Sequence, residues 1–378
     1  MIYLDSAATT LEKPETVRRA MAQAVNQMSS PGRGSHQATR LAEETDFLCR
    51  SEAASLFGLG DPSRVIFTMN ATHALNIAIH SLVQSGAKVI VSGYEHNAVT
   101  RPLHAIPNVH LTILDAPPFQ PARMVEELET ALKQGADAVI CNHVSNVFGC
   151  VQPIREMAEC CRRVGVPLVV DASQSAGIVP LSVEELGAAF VAMPGHKGLY
   201  GPQGTGLLLC NHEAEPLLYG GTGSLSRLQT MPEELPDRLE AGTHNMPGIA
   251  GLLEGLRFVR KTGIERISAH ERQLAAHAVQ RLRQIDGVQV FYQEGFADQV
   301  GVVSFIAEGY DCEMVGEAMA RKGVALRAGL HCAPLAHRTV GTLKTGTIRL
   351  SPSYFNRREQ IDRFAEILGH VLREKVTF

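Results

Sequence analysis

The apolar positions of this chain fall into short runs. RVIFT (Arg64–Thr68), KVIVS (Lys88–Ser92), HLTIL (His110–Leu114), AVIC (Ala138–Cys141), LVVD (Leu168–Asp171), FVAM (Phe190–Met193) and GLLLC (Gly206–Cys210) follow one another through the middle of the sequence. They are continuous apolar runs rather than strict alternations, the pattern of strands covered on both faces. Between several of them lie stretches of helical periodicity, such as ATHALNIAIHSLVQSG and PIREMAECCRRVG. Strands and helices in alternation predict parallel βαβ units, and so an α/β fold with a mostly parallel central sheet and helices on both faces.

From about Gly251 the pattern changes. GLLEGLRFVRKTG and then IERISAHERQLAAHAVQRLRQI predict a long helix shared between two units. VQVFY, VGVVSFIA and TIRLSP follow as strands with helices between them, up to a last helix near Arg357–Val371. The expected division is a large α/β domain over residues 16–261 and a smaller α+β domain from residues 1–15 and 262–378. No repeat, low-complexity tract or Pro/Ser-rich linker interrupts the chain.

Composition narrows the function. The 378 residues are 45% hydrophobic and 20% charged, which is ordinary globular composition. Thirty-five Lys and Arg against thirty-nine Asp and Glu leave a net charge of −4, so no basic surplus exists to neutralise nucleic acid. The apolar runs are far too short to span a bilayer, so no membrane association is expected. MIYLDSAATT has an acid at Asp5 and no Lys or Arg before Lys13, unlike a secretory signal, and a cytoplasmic enzyme is expected. Eight cysteines include no CxxC pair, and no HxxxH or HExxH pair occurs on a helical stretch, so no metal site is expected. Most of the cysteines sit in apolar surroundings. Cys332, in GLHCAP beside Gly329, His331 and Pro334, is the one whose loop-like context suggests reactivity.

In an α/β sheet, ligands bind beyond the carboxyl ends of the strands. The side chains found there are Asn70 to His73, Glu95 to Asn97, Asn142 to Asn146, Asp171 to Gln174, and Gly195 to Lys197. Lys197 lies in MPGHKGLYGPQGTG, where the glycines would let the backbone approach a ligand closely. A dinucleotide fingerprint fails here, because the strand-like LLLC and not a helix follows. A lysine in such a turn could hold an aldehyde cofactor as a Schiff base, or simply be solvated. Asp171 needs a cationic or donor partner after a buried strand; it could meet a protonated pyridine nitrogen or cap the next segment. Thr72 and the N–H groups around Ala71 open a helix, which binds phosphate or is capped from within. His96 could stack on a cofactor or be a satisfied core histidine.

Together these segments resemble the class V aminotransferase-like family of pyridoxal 5′-phosphate enzymes, specifically type II cysteine desulfurases and selenocysteine lyases. The motifs are YLDSAATT (3–10), NATHALN (70–76), EHNAV (95–99), HVSNVFG (143–149), DASQ (171–174), GHKGLYGPQGTG (195–206), LEAGTHN (239–245), RAGLHCA (327–333) and TIRLSPSYFN (347–356). GHK with GPxGxG, and RxGxHCA with a downstream IRxS, are specific to it; EHNAV or DASQ alone would be weak.

The resemblance implies a pyridoxal-phosphate-dependent transferase of fold type I, and roles for matched positions. Lys197 would be the Schiff-base lysine and proton carrier, Asp171 the partner of the pyridine nitrogen, and Gln174 the partner of the ring oxygen. His96 would stack on the ring and assist proton transfer. Asn146 would touch cofactor or substrate, and Ala71, Thr72 and His196 would hold the phosphate. Thr243 would reach the phosphate of the partner subunit in a homodimer. Arg349 would grip the substrate carboxylate in a bidentate pair, with Arg33 lining the same mouth. Cys332 would take sulfur from cysteine as a persulfide and leave alanine, passing the sulfur to an acceptor protein. His331 or the substrate's own groups would remove the thiol proton. Pro194, Ala71 and Ser6 depart from the family's usual serine, threonine and asparagine and remove side chains that hold the phosphate. The nearest rival activity is a selenocysteine lyase or another β-eliminating lyase, which depends less on Cys332. A silent scaffold is the rival of another class, against which Lys197, Asp171 and Cys332 together speak.

Overall fold

A computed structural model describes residues 1–32 and 34–374. A short strand, β1 (Ile2–Tyr3), precedes the strands of the central sheet: β2 (Val65–Thr68), β3 (Lys88–Ser92), β4 (His110–Leu114), β5 (Ala138–Asn142), β6 (Leu168–Asp171), β7 (Phe190–Pro194) and β8 (Gly206–Cys210). Their order across the sheet is β2-β8-β7-β6-β5-β3-β4. The interior strands β5, β6, β7 and β8 are buried at every position, as continuous apolar runs require. The edge strand β4 instead alternates exposed and covered residues.

One strand departs from the expected βαβ pattern. β8 runs antiparallel to both β7 and β2. The segment 195–205 between β7 and β8 holds no helix, and a parallel crossover needs roughly a dozen residues or more. The chain therefore doubles back, and the turn that makes the reversal carries Lys197.

A second sheet of order β12-β13-β10-β9 is antiparallel throughout and comprises β9 (Val288–Phe291), β10 (Val303–Ala307), β12 (Arg327–Gly329) and β13 (Thr347–Leu350). The short β11 (Val324–Ala325) pairs instead with β1. The expected long helix is two: Met246–Thr262 and Ile264–Leu282, parted at Gly263, whose φ of +89° no L residue adopts easily. Apolar clusters cover both faces of the central sheet. A separate cluster joins Leu4 to residues between Leu274 and Leu372 around the second sheet. Among the described residues, no helix is long and apolar enough to cross a membrane, and no group of three or more metal-ligating side chains occurs.

Candidate active site

The carboxyl ends of β5, β6 and β7 and the helices Ala71–Leu82 and Asn97–Ala105 enclose a cavity of about 220 Å³. Ala71, Thr72, His96, Asn146, Asp171, Gln174, His196 and Lys197 all line it, so the sequence-predicted cofactor residues converge, apart from Thr243.

Backbone contact places the two central groups. A Cβ on Gly198 would lie 2.3 Å from the Ala176 carbonyl, and one on Gly177 would lie 2.2 Å from the Gly198 carbonyl. The turn after Asp171 and the turn around Lys197 thus approach each other as only glycine allows. The glycines of this segment serve contact within the chain, where the sequence suggested contact with a ligand. The His196 carbonyl also accepts from the hydroxyls of Thr9 and Thr10 and from Lys13 Nζ, at 3.2, 3.0 and 2.9 Å, which fastens the lysine turn to the start of the chain.

Burial pushes the Lys197 amine down to about 8, helped by Arg349 and Arg327 and opposed by Asp171. Asp171 is buried; the Ser173 N–H donates to Oδ1 at 2.9 Å, and Oδ2 makes no bond within the described residues. His96 caps the helix Asn97–Ala105 by accepting from the Ala98 N–H at 3.0 Å on Nδ1. Burial takes its ring down to about 4, so it is neutral with its proton on Nε2. Beneath it Glu95 is fully buried and pushed up to about 8, with Oε1 accepting from Ser92 and from the Asn142 N–H.

The far end of the cavity suits an anion. Asn70 caps the helix Ala71–Leu82 by accepting from the His73 N–H at 2.9 Å. Ala71 and Thr72, the first two residues of that helix, whose N–H groups have no intrahelical acceptor, line the cavity together with His196. His196 Nδ1 is buried without a partner. A planar cationic ring with an anionic tail fits this sequence of groups: a carboxylate, a recessed amine, then open N–H donors.

The second sheet brings two arginines to the site. Arg349 on β13 is buried and donates to the Asn146 carbonyl at 2.9 Å and to Asp5 at 2.7 Å. Its Nε has no partner. Arg327 on β12 lies directly opposite Arg349 in the ladder. Sequence reasoning gave Arg327 no role; it stands in the RAGLHCA motif, but its pairing with residue 349 exists only once the sheet forms. Arg33 lies outside the described residues.

Cys332 is exposed, while every other cysteine is buried and none is paired. It follows His331 in a turn where both residues take positive φ, 51° and 55°. The turn is held by its carbonyls: Asn146 Nδ2 donates to that of His331, and the N–H of Asn97, next to His96, donates to that of Cys332, both at 2.8 Å. His331 is not placed as a base for the thiol. Its Nε2 faces the Arg327 carbonyl at 3.3 Å and its Nδ1 faces His337 Nε2 at 3.4 Å, so both ring nitrogens are engaged away from Cys332. Thr243 stands apart from all of these, exposed on the wall of a separate cavity of about 210 Å³ that His73 and Thr205 share.

The fold and site define an α/β protein with a candidate ligand site at the carboxyl ends of a mostly parallel sheet and an exposed cysteine on a turn bonded to Asn146 and Asn97. The chain belongs to the Aminotransferase class-V family, which it matches over residues 2–364. It is 33% identical to a probable cysteine desulfurase of Mycolicibacterium paratuberculosis over 98% of its own length and 55% of that protein's. It therefore spans little more than half the length of that relative, and 62% of a second, from Mycobacterium leprae. A probable cysteine desulfurase of Methanothermobacter thermautotrophicus is 31% identical and is covered over 94% of its length. Among solved structures, the apo cysteine desulfurase of Thermococcus onnurineus superposes with a TM-score of 0.89 at 28% identity, covering 98% of this chain and 94% of that one. The cysteine desulfurase CsdA of Escherichia coli, in an S-sulfonic acid form, gives 0.86 at 26% identity over 99% and 95% of the two chains. The fold is that of the pyridoxal-phosphate-dependent transferases of fold type I.

Proposed function

We propose that this chain is a cytoplasmic, homodimeric cysteine desulfurase that uses pyridoxal 5′-phosphate and passes sulfur through Cys332 to an acceptor protein. The observation that carries the reading is the convergence in one cavity of Lys197, Asp171, His96 and the open N–H groups at Ala71 and Thr72. Asp171 would pair with the ring nitrogen, Gln174 with the ring oxygen through the N–H not already given to Ala7, and Ala71, Thr72 and His196 with the phosphate. When bound, the cofactor supplies an electron sink for negative charge at the substrate Cα.

The chain's own residues would do the rest. Near pH 8 the Lys197 amine is part neutral, so it can attack an aldehyde and afterwards move a proton at Cα. Arg349 and Arg327 would hold the substrate carboxylate, and the neutral His96 would stack on the ring. A Cys332 thiolate would attack the substrate sulfur: a bond from Sγ to that sulfur forms, the substrate's carbon–sulfur bond breaks, and its electron pair returns to carbon, where a proton completes alanine. With His331 committed elsewhere, the thiol proton would go to the bound substrate.

A second copy is part of this reading. Leu217, Leu218, Tyr219, Leu225 and Leu228 leave large apolar side chains exposed in one stretch, Tyr219 at 75%. Thr243, at the end of the same region, would reach the second copy's phosphate site. We also infer the two domains of the sequence reading, since Leu4 packs into the cluster of the later residues.

Product analysis with L-cysteine, with and without a reductant, tests the proposal. Alanine and sulfide in equal amounts under reductant, and no alanine from Cys332→Ala, are expected. Turnover by Cys332→Ala at the parent rate would rule out the persulfide; retained turnover of selenocysteine alone would move the assignment to a selenocysteine lyase.

A further inference from the structure

A buried ion network lies beside Thr243 and takes no part in the chemistry described so far. Asp46 and Arg50 stand one turn apart on the helix Gln37–Leu56. Arg50 makes two parallel bonds to Glu240, both at 2.7 Å, and donates from Nε to Asp46 at 2.8 Å. Its guanidinium lies over the Phe67 ring at 4.2 Å, and the Phe67 N–H donates to Glu240 at 2.6 Å, which ties the network to β2. Arg50 and Glu240 are nearly fully enclosed, their side chains 6% and 3% exposed.

This pair is complete in charge without further help, yet His244 joins it from the neighbouring loop. Its Nδ1 lies 3.1 Å from Asp46 and its Nε2 lies 3.0 Å from Glu240. A carboxylate accepts at each ring nitrogen, so both carry protons. The two carboxylates raise the ring to about 9 against the cost of burial, which leaves it cationic and balances two acids with two cations. Asp46, Arg50 and Glu240 are the charged groups that face it; Phe67 meets it edge-on at 6.3 Å.

The neighbours of Thr243 are anchored on both sides. The Gly242 N–H donates to the Gly221 carbonyl at 2.8 Å. Asn245 caps the helix Met246–Thr262 through the Gly248 N–H at 3.0 Å and donates to the Gly204 carbonyl at 3.2 Å. Between these fixed points Thr243 is exposed and makes no hydrogen bond within the described residues. A threonine on a rigidly clamped loop, with its own hydroxyl free, is arranged to serve something outside this chain.

We propose that His244, locked between Asp46 and Glu240, is a positioning residue that presents the Thr243 hydroxyl to the phosphate of pyridoxal phosphate held by a second copy of the chain. The proposal rests on the reading of Thr243 given under the proposed function.

The test is a double-mutant cycle on the dimeric enzyme, reading the dissociation constant for pyridoxal phosphate and the phosphorus NMR signal of the bound cofactor. Thr243→Ala and His244→Gln should each weaken cofactor binding about tenfold, and the double variant should lose no more than either alone, because both act through one hydroxyl. The phosphorus signal should move in the same direction in both. Asp46→Asn, which leaves the Arg50–Glu240 pair in place, should show the same effect at about threefold and stands in for His244→Gln should that variant fail to fold. Losses that simply add, or an unchanged constant in both His244→Gln and Asp46→Asn, would overturn the proposal. An unchanged constant in Thr243→Ala would instead overturn the reading of Thr243 itself.

Discussion

The turns that carry Lys197 and Cys332 are both fixed by their backbones, and they present their side chains in opposite ways. The lysine turn is pressed against the segment after Asp171 at Gly177 and Gly198, and it is bonded to the start of the chain through the His196 carbonyl. Its amine ends inside a cavity where burial lowers its affinity for a proton. The cysteine turn holds two successive residues at positive φ, which costs about 1 kcal/mol or more apiece, and hydrogen bonds from Asn146 and Asn97 to its carbonyls offset that strain. Cys332 itself is exposed. On the proposed reading, the amine that would hold the cofactor is set back in the cavity, and the thiol that would hand sulfur to another protein is mounted rigidly but left outside.

The largest test of this contrast is Lys197→Ala. Reconstituted with pyridoxal phosphate, the variant should lack the visible band of a lysine-bound aldehyde and lose alanine production by roughly a thousandfold or more, whereas Cys332→Ala should keep the band in full. A Cys332→Ala protein without the band would mean that the two turns are not independent.

Next in size is Gly198→Ala. A methyl 2.3 Å from a backbone carbonyl cannot be relieved by a side-chain rotation, so the turns must separate, at about 2–4 kcal/mol in urea denaturation. Ala328→Gly on β12, outside any such close approach, should cost less. Equal costs at the two positions would show that the clamp on the lysine turn is not tight.

Much of this site could be read before folding. The strand ends at Asp171 and around Lys197 fall where apolar runs stop, and the helix at Ala71 opens where its periodicity begins; local pattern suffices for these. Pairings made across long separations left no such trace. Arg327 faces Arg349 only through the β12–β13 register. The reversal of β8 depends on how short a segment joins it to β7. His331 looked available to Cys332 because the two are adjacent in sequence, but at positive φ the chain turns the ring toward His337 and the Arg327 carbonyl. Thr243 lines a cavity other than the one that gathers the remaining residues expected to hold the cofactor, and a single chain's sequence says nothing of what a second copy brings.

A smaller effect sharpens the lysine half. With the amine lowered to about 8, only about a tenth of it is unprotonated at pH 7 and about nine-tenths at pH 9, against a lysine's usual value near 10.4. Only the neutral amine attacks an aldehyde. The rate at which the cofactor-free protein captures pyridoxal phosphate, followed by absorbance after rapid mixing, should rise nearly tenfold between pH 7 and pH 9 and then level off. A rate still climbing steeply above pH 9 would place the amine in solvent.

The smallest effect tests the cysteine half. The Arg327 carbonyl can only accept, so His331 carries its proton on Nε2 and accepts on Nδ1 from His337, whose own Nδ1 accepts from the Thr342 hydroxyl at 2.8 Å. Burial, with the Arg349 charge behind it, pushes the His331 ring down to about 2, so it stays neutral at any working pH. A ring in that state steadies the turn and takes no proton from Cys332. His331→Gln keeps one donor and one acceptor and should slow persulfide formation only about fivefold, the worth of one imperfectly replaced hydrogen bond. The pH dependence of that step should keep its shape. Were His331 the base, its loss would instead remove the ascending limb of the profile, and the cysteine turn would have to be redrawn as a catalytic pair rather than a rigid mount.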